Sequence, residues 1–149
     1  MLKTATHIDL ITVSAAGPDA DTVRDLFLEY GGSLSFNTCF GGLDQELATL
    51  PGDYAPPRGC LLLAKEGAGA VGCVGLRPID DVICEMKRLF VKPRHRRAGL
   101  GRRLAQTAIA RARALYASLG FTACAPYYDN SCLGSDCLDL DLLPDWNRG

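Results

Sequence analysis

No apolar run in this chain approaches the roughly 20 residues that a membrane-spanning helix needs. The first residues, Met1-Leu2-Lys3-Thr4-Ala5-Thr6-His7, lack the long apolar core of a signal peptide. A cytoplasmic protein is therefore expected. There is no Cys-x-x-Cys pair, and only His7 and His95 could join a cysteine in holding zinc. No metal is expected. The odd count of seven cysteines, most of them alone in apolar runs such as Gly59-Cys60-Leu61-Leu62, argues for free and mostly buried thiols rather than a disulfide framework. Internal repeats and low-complexity linkers are also missing. What is left is a chain of 149 residues with 48% hydrophobic and 22% charged residues, enough for one domain, 1–149, with its own core.

Net charge is only −1, yet it is unevenly spread. Ten of the 16 Lys and Arg residues fall between Lys87 and Arg113, a segment with no Asp or Glu. A local basic patch on a near-neutral protein suits a compact polyanion better than a long nucleic acid. A nucleic-acid-binding module built on residues 94–113 is the rival reading. It lacks any aromatic residue from Lys92 through Leu115 on which a base could stack. No nucleic-acid or membrane partner is expected.

The patterning reads as α/β. Residues 7–13 alternate as a first strand. Pro18-Asp19-Ala20-Asp21 opens an amphipathic helix through Val23, Leu26, Phe27 and Tyr30, with Gly31-Gly32 as its stop. Residues 43–50 form a short second helix. Strands follow over 60–65, 70–77 and 82–91, the first two joined by Gly67-Ala68-Gly69. The final strands are 121–127 and 137–142, where Leu138, Leu140 and Leu142 alternate with Asp139 and Asp141.

Between the strand ending Leu89-Phe90-Val91 and a helical stretch stands Arg96-Arg97-Ala98-Gly99-Leu100-Gly101. Glycines at that place leave backbone N–H groups bare, and the helix N-terminus and arginines add positive charge. This is a diphosphate cradle. It is not a Walker loop, since Arg102-Arg103 stand where Lys-Ser/Thr would, and it lacks the third glycine and the later acid of a dinucleotide fold.

The loop resembles the coenzyme A pyrophosphate loop of the GCN5-related N-acetyltransferase (GNAT) superfamily. The run Cys84-Glu85-Met86-Lys87-Arg88-Leu89-Phe90-Val91-Lys92-Pro93 is similar to that family's fourth strand. Tyr116 with Leu119-Gly120-Phe121 is similar to the end of its fourth helix, and Pro126-Tyr127-Tyr128-Asp129-Asn130 with Leu138-Asp139-Leu140 to the closing hairpin of a small bacterial subgroup. The resemblance implies a GNAT-like mixed, mostly antiparallel sheet flanked by helices. It departs from the family at one place: the fifth strand and the first part of the fourth helix are absent. Residues 110–121 run on as good helix formers, so one helix of about 20 residues and about 30 Å is expected there. The closing hairpin would then either exchange with a second copy in a homodimer or close directly on the fourth strand.

The resemblance further implies acetyl transfer from acetyl-coenzyme A to a primary amine of a small molecule or peptide, with no metal. Arg96, Arg97, Ala98, Gly99, Leu100, Gly101 and Arg102 would hold the pyrophosphate. Backbone amides of Leu89, Phe90 and Val91, freed by a bulge, would bond the pantetheine arm and polarise the thioester. Glu85 is the candidate base and Tyr116 the candidate acid. As a structural reading, Glu85 would pair with Lys87 or Arg88, and Tyr116 would pack beneath the last helical turn. His95 reads as an exposed loop residue. Residues 36–54 would shape the acceptor pocket, where Asp44, Glu46 and Asp53 suit a cationic amine. Loss of the splay beside the fourth strand would leave a coenzyme A binder without turnover, the alternative within the same fold.

Overall fold

A computed structural model of the chain describes residues 7–33, 43–80, 83–117, 121–124 and 138–144. The elements run β1 (Ile8–Thr12), α1 (Pro18–Ser33), α2 (Leu43–Thr49), β2 (Cys60–Glu66), β3 (Gly69–Pro78), β4 (Ile83–Val91), α3 (Leu100–Ala117), β5 (Phe121–Cys124) and β6 (Leu138–Pro144). They form one six-stranded sheet in the order β1-β2-β3-β4-β6-β5. Every pairing in it is antiparallel.

Both faces of the sheet are covered, which is why Cys60, Leu61, Leu62, Leu63 and Ala64 are all buried along β2. Cys60, Leu62 and Ala64 join Val74, Leu76, Cys84 and Met86 under α3. That helix presents Leu100, Leu104, Ala108 and Ala112 at four-residue spacing. On the other face, Leu61, Leu63, Cys73 and Phe90 meet Val23, Phe27 and Tyr30 of α1 and Leu47 of α2. Tyr54, from the 3-10 turn Gly52–Tyr54, packs edge-on to Phe27 at 6.0 Å. A β-carbon at Gly75 would lie 2.5 Å from its ring, so β3 carries a glycine where Tyr54 crosses it.

The tight turn at Gly67-Ala68 forms as its glycines require, with Gly67 at φ +60°. Helix α1 continues through Gly31-Gly32 to Ser33 rather than stopping at them. Cys60, Cys73 and Cys84 are free and buried. Burial pushes the Cys73 thiol far above its ordinary range. The Cys60 thiol is also raised by burial, against the pull of Arg111.

Helix α3 is continuous from the loop onward, with no strand interrupting it. The closing hairpin takes the second of its two expected arrangements. β6 pairs with β4 of the same chain through Ile83↔Asp141, Cys84↔Leu140, Glu85↔Asp139 and Met86↔Leu138. β5 forms the outer edge by pairing with β6. No helix among the described residues is long and apolar enough to cross a membrane.

Candidate active site

The β4–β6 register ends at Met86. From residue 87 to 91, β4 continues with no strand on that side among the described residues. The strand leads through the 3-10 turn Pro93–His95 into the glycine loop. Lys92 donates its backbone N–H to Val71 O at 2.9 Å, holding the strand end to β3.

The loop itself turns left-handed twice, at Arg97 (φ +66°) and Gly99 (φ +83°). Such alternation points successive N–H groups into one concavity. It opens onto the start of α3, whose first N–H groups have no carbonyl within the helix. Arg97, Ala98, Gly99 and Arg102 are exposed, whereas Leu100 is buried and anchors the turn. Gly101 lies against the strand end, where a β-carbon would be 3.7 Å from Val91. Arg96 turns back instead of outward. Its Nε donates to Val91 O at 2.8 Å, and its guanidinium lies 5.7 Å from the Phe90 ring centre. His95 is half-buried, with Nε2 at 2.9 Å from Glu66 Oε2 and a buried Nδ1 lacking a partner. The expectation of an exposed histidine is corrected: the carboxylate of β2 reaches across the turn and holds the ring.

Within β4 the expected bulge is present. Cys73 pairs with Phe90 and Gly75 with Lys87, so Val74 alone stands opposite both Arg88 and Leu89. Arg88 takes up the extra residue at φ +59°. A strand normally alternates faces. The bulge breaks that rule and puts Lys87 and Arg88, neighbours in sequence, on the same face toward α2.

Both reach Glu46 there. Arg88 donates Nε and Nη2 to the two Glu46 oxygens at 3.0 and 3.2 Å, and Lys87 Nζ lies 3.8 Å away. Arg88 is only 4% exposed. Burial opposes its charge, and the Glu46 bonds more than restore it, so its pKa is raised. Glu85, also buried, is held by Arg77, its cross-strand neighbour: Nε and Nη2 both lie 2.8 Å from Oε1. Arg77, then, is the first partner of Glu85. Lys87 stands farther off at 3.8 Å, and Arg88 is bonded to Glu46. Burial pushes the Lys87 ammonium below the usual lysine range, with Arg88 and Arg77 acting in the same direction. The Tyr54 hydroxyl is buried beside Glu46 and Arg88 without a well-formed hydrogen bond to either. Burial, then Glu46, pushes its pKa upward, so it stays protonated.

The structure thus places Glu85 on the strand that carries the bulge at Arg88 and Leu89 and that leads into the loop. Tyr116 falls in the last turn of α3, with its side chain outside the described residues, as are Tyr127 and Tyr128. Asp44 and Asp53 are exposed. His7 is exposed and pairs with Asp9 at 2.9 Å. Sequence reasoning did not single out Arg77. The available signal was the connection after Pro78, from which the β3–β4 register runs unbroken through Pro78↔Cys84 to Arg77↔Glu85. Among the described residues no group of three His, Cys, Asp or Glu side chains could hold a metal.

The family model described as "Acetyltransferase (GNAT) family" matches residues 23–131. The chain is 33% identical over 133 residues, 75% of this chain and 82% of the relative, to a Schizosaccharomyces pombe protein described as an uncharacterized N-acetyltransferase. Those aligned positions outnumber the residues of this chain that they cover, so the relative carries residues there that this chain lacks. Among solved structures, the fold is similar to an acetyltransferase from Streptococcus agalactiae (TM-score 0.56, 18% identity, covering 91% of this chain and 98% of that one). It is likewise similar to a GNAT family acetyltransferase from Elizabethkingia anophelis with acetyl-CoA bound (TM-score 0.54, 21% identity, the same coverage).

Proposed function

Since the chain belongs to the acetyltransferase (GNAT) family, we propose that it transfers an acetyl group from acetyl-CoA to a primary amine by direct attack. The observation that carries this reading is the bulge in β4 at Arg88 and Leu89, on the strand that runs into the left-handed loop at Arg97 and Gly99. A bulge leaves backbone N–H and C=O groups out of the ladder, where an extended, amide-bearing arm can bond them. The loop offers N–H groups and helix-end charge to a diphosphate. Acetyl-CoA has both parts in that order. The same donor set is poorly suited to a mononucleotide phosphate, which would leave the bulged strand unused.

In this reading the backbone of Leu89, Phe90 and Val91 binds the pantetheine arm and polarises the thioester carbonyl. Residues Arg97, Ala98, Gly99, Leu100 and Gly101 supply N–H groups to the pyrophosphate, and Arg102 adds charge at the exposed rim. Arg96 supports the loop from behind through Val91 and Phe90. Acetyl-CoA supplies an activated acetyl group. Glu85 accepts the proton of the attacking ammonium, with Arg77 fixing its carboxylate, and Tyr116 returns a proton to the leaving thiolate.

Calorimetric titration with acetyl-CoA tests the reading: one site per chain is expected, with binding unaffected by generic duplex DNA. Absence of binding would remove it, and salt-dependent binding to DNA instead would favour the basic-module reading. Glu85→Gln should lower kcat by about 10²-fold or more, the usual range for a lost general base, with the KM for acetyl-CoA unchanged. An unchanged kcat would take the base role away from Glu85.

A further inference from the structure

A cavity of about 240 Å³ lies between α2, the Gly52–Tyr54 turn and β3, lined by Gln45, Glu46, Thr49, Asp53, Tyr54 and Arg77. It opens on the α2 face of the sheet, the face that Glu85 and Lys87 also occupy. We propose that it is an anchoring subsite for a carboxylate carried by the acceptor, which makes the acceptor a small aminocarboxylate. This rests on the acetyltransferase reading above and names its substrate class.

Two hydrogen-bond donors at this cavity lack a full partner. Tyr54 is 1% exposed, and its hydroxyl has no hydrogen bond. A buried hydroxyl left this way costs free energy unless a ligand satisfies it. Arg77 spends Nε and Nη2 on Glu85. Its Nη1 has only a 3.8 Å contact with Glu46, beyond hydrogen-bond range. A planar guanidinium with one side uncommitted matches a carboxylate. The charge of the carboxylate on the wall is offset by Arg88, which donates to both Glu46 oxygens.

Size and spacing narrow the class. The volume admits a small molecule. Neighbouring strands stand about 4.8 Å apart, so Arg77 on β3 lies roughly one to two strand spacings from the outer edge of β4. The acceptor's amine is therefore several bonds from its carboxylate. In the transfer, a nitrogen–carbon bond forms to the acetyl carbonyl, the carbon–sulfur bond breaks, and the proton lost by the amine ends on the thiol.

The test compares 6-aminohexanoate with hexylamine, the same amine with and without the carboxylate. The parent protein should show kcat/KM at least tenfold higher for 6-aminohexanoate. In Tyr54→Phe and Arg77→Lys that ratio should fall toward one. Tyr54→Phe keeps the packed ring and removes an unpartnered hydroxyl, so it should fold even where Arg77→Lys does not. Equal use of the two amines, a ratio unchanged in Tyr54→Phe, or no transfer to either amine by a protein that still binds acetyl-CoA would overturn the subsite. Loss of acetyl-CoA binding in the parent protein would instead overturn the reading beneath it.

Discussion

Gly99→Val is expected to weaken acetyl-CoA binding by about 10- to 100-fold while the folded protein survives. The residue sits at φ +83°, and a β-carbon placed there would meet nothing within 4 Å. The cost is therefore conformational rather than steric. An ordinary residue held left-handed loses about 1–2 kcal/mol, and a β-branched one more. At 1.4 kcal/mol per factor of ten in affinity, that gives the stated range, provided binding needs the left-handed turn. Relaxing the strain would turn N–H groups out of the concavity, to the same effect. Gly101→Ala provides the contrast. Its β-carbon would make an ordinary 3.7 Å contact with Val91, so the free protein should tolerate it, and any loss must come from the ligand itself. Calorimetry on both variants, with thermal melts as a control, decides the matter. Affinity within threefold of the parent for Gly99→Val would mean that the loop is not the cradle.

Removing the partner of Arg88 should have the largest effect on stability. Glu46→Ala is expected to cost about 3–5 kcal/mol, because it removes the carboxylate that both Nε and Nη2 of a guanidinium bond, on a side chain 2% exposed. Domains of this kind are stable by about 5–15 kcal/mol, so the loss is a large share of the whole. Replacing both partners, as in Glu46→Leu with Arg88→Met, should recover much of it, since no buried charge is then left alone. Urea unfolding of the parent, the single variant and the double variant measures both effects. A single variant within 1 kcal/mol of the parent would show that solvent reaches Arg88 and that the buried pair is not what holds α2 against β4.

The fold was largely legible in the residues. Four-residue spacing in α3, the glycine turn at 67–69 and the unbroken helix-forming run after residue 110 all act locally, within one element or between adjacent ones. The glycine loop was legible for the same reason, since Gly99 answers to its own φ. Relations between distant elements were harder to read. Glu46 and Arg88 are 42 positions apart, and nothing in either neighbourhood names the other. Which carboxylate Arg77 would hold depended on the length of the turn between β3 and β4, since one residue more or less there changes what stands opposite it. The docking of β6 on β4 stood as one of two arrangements, because an alternating strand pairs equally well with any free edge.

Arg88, the extra residue on β4, bears on how this strand could change in descent. Deleting that one residue would restore plain alternation and keep everything beyond it in its layer. Phe90 would stay on the face it shares with Tyr30, and Leu89 and Val91 would stay under α3. A second insertion, or a deletion that left the bulge in place, would instead invert every face beyond it, so such changes should be far less acceptable than loss of Arg88 itself, whose cost is the Glu46 pair.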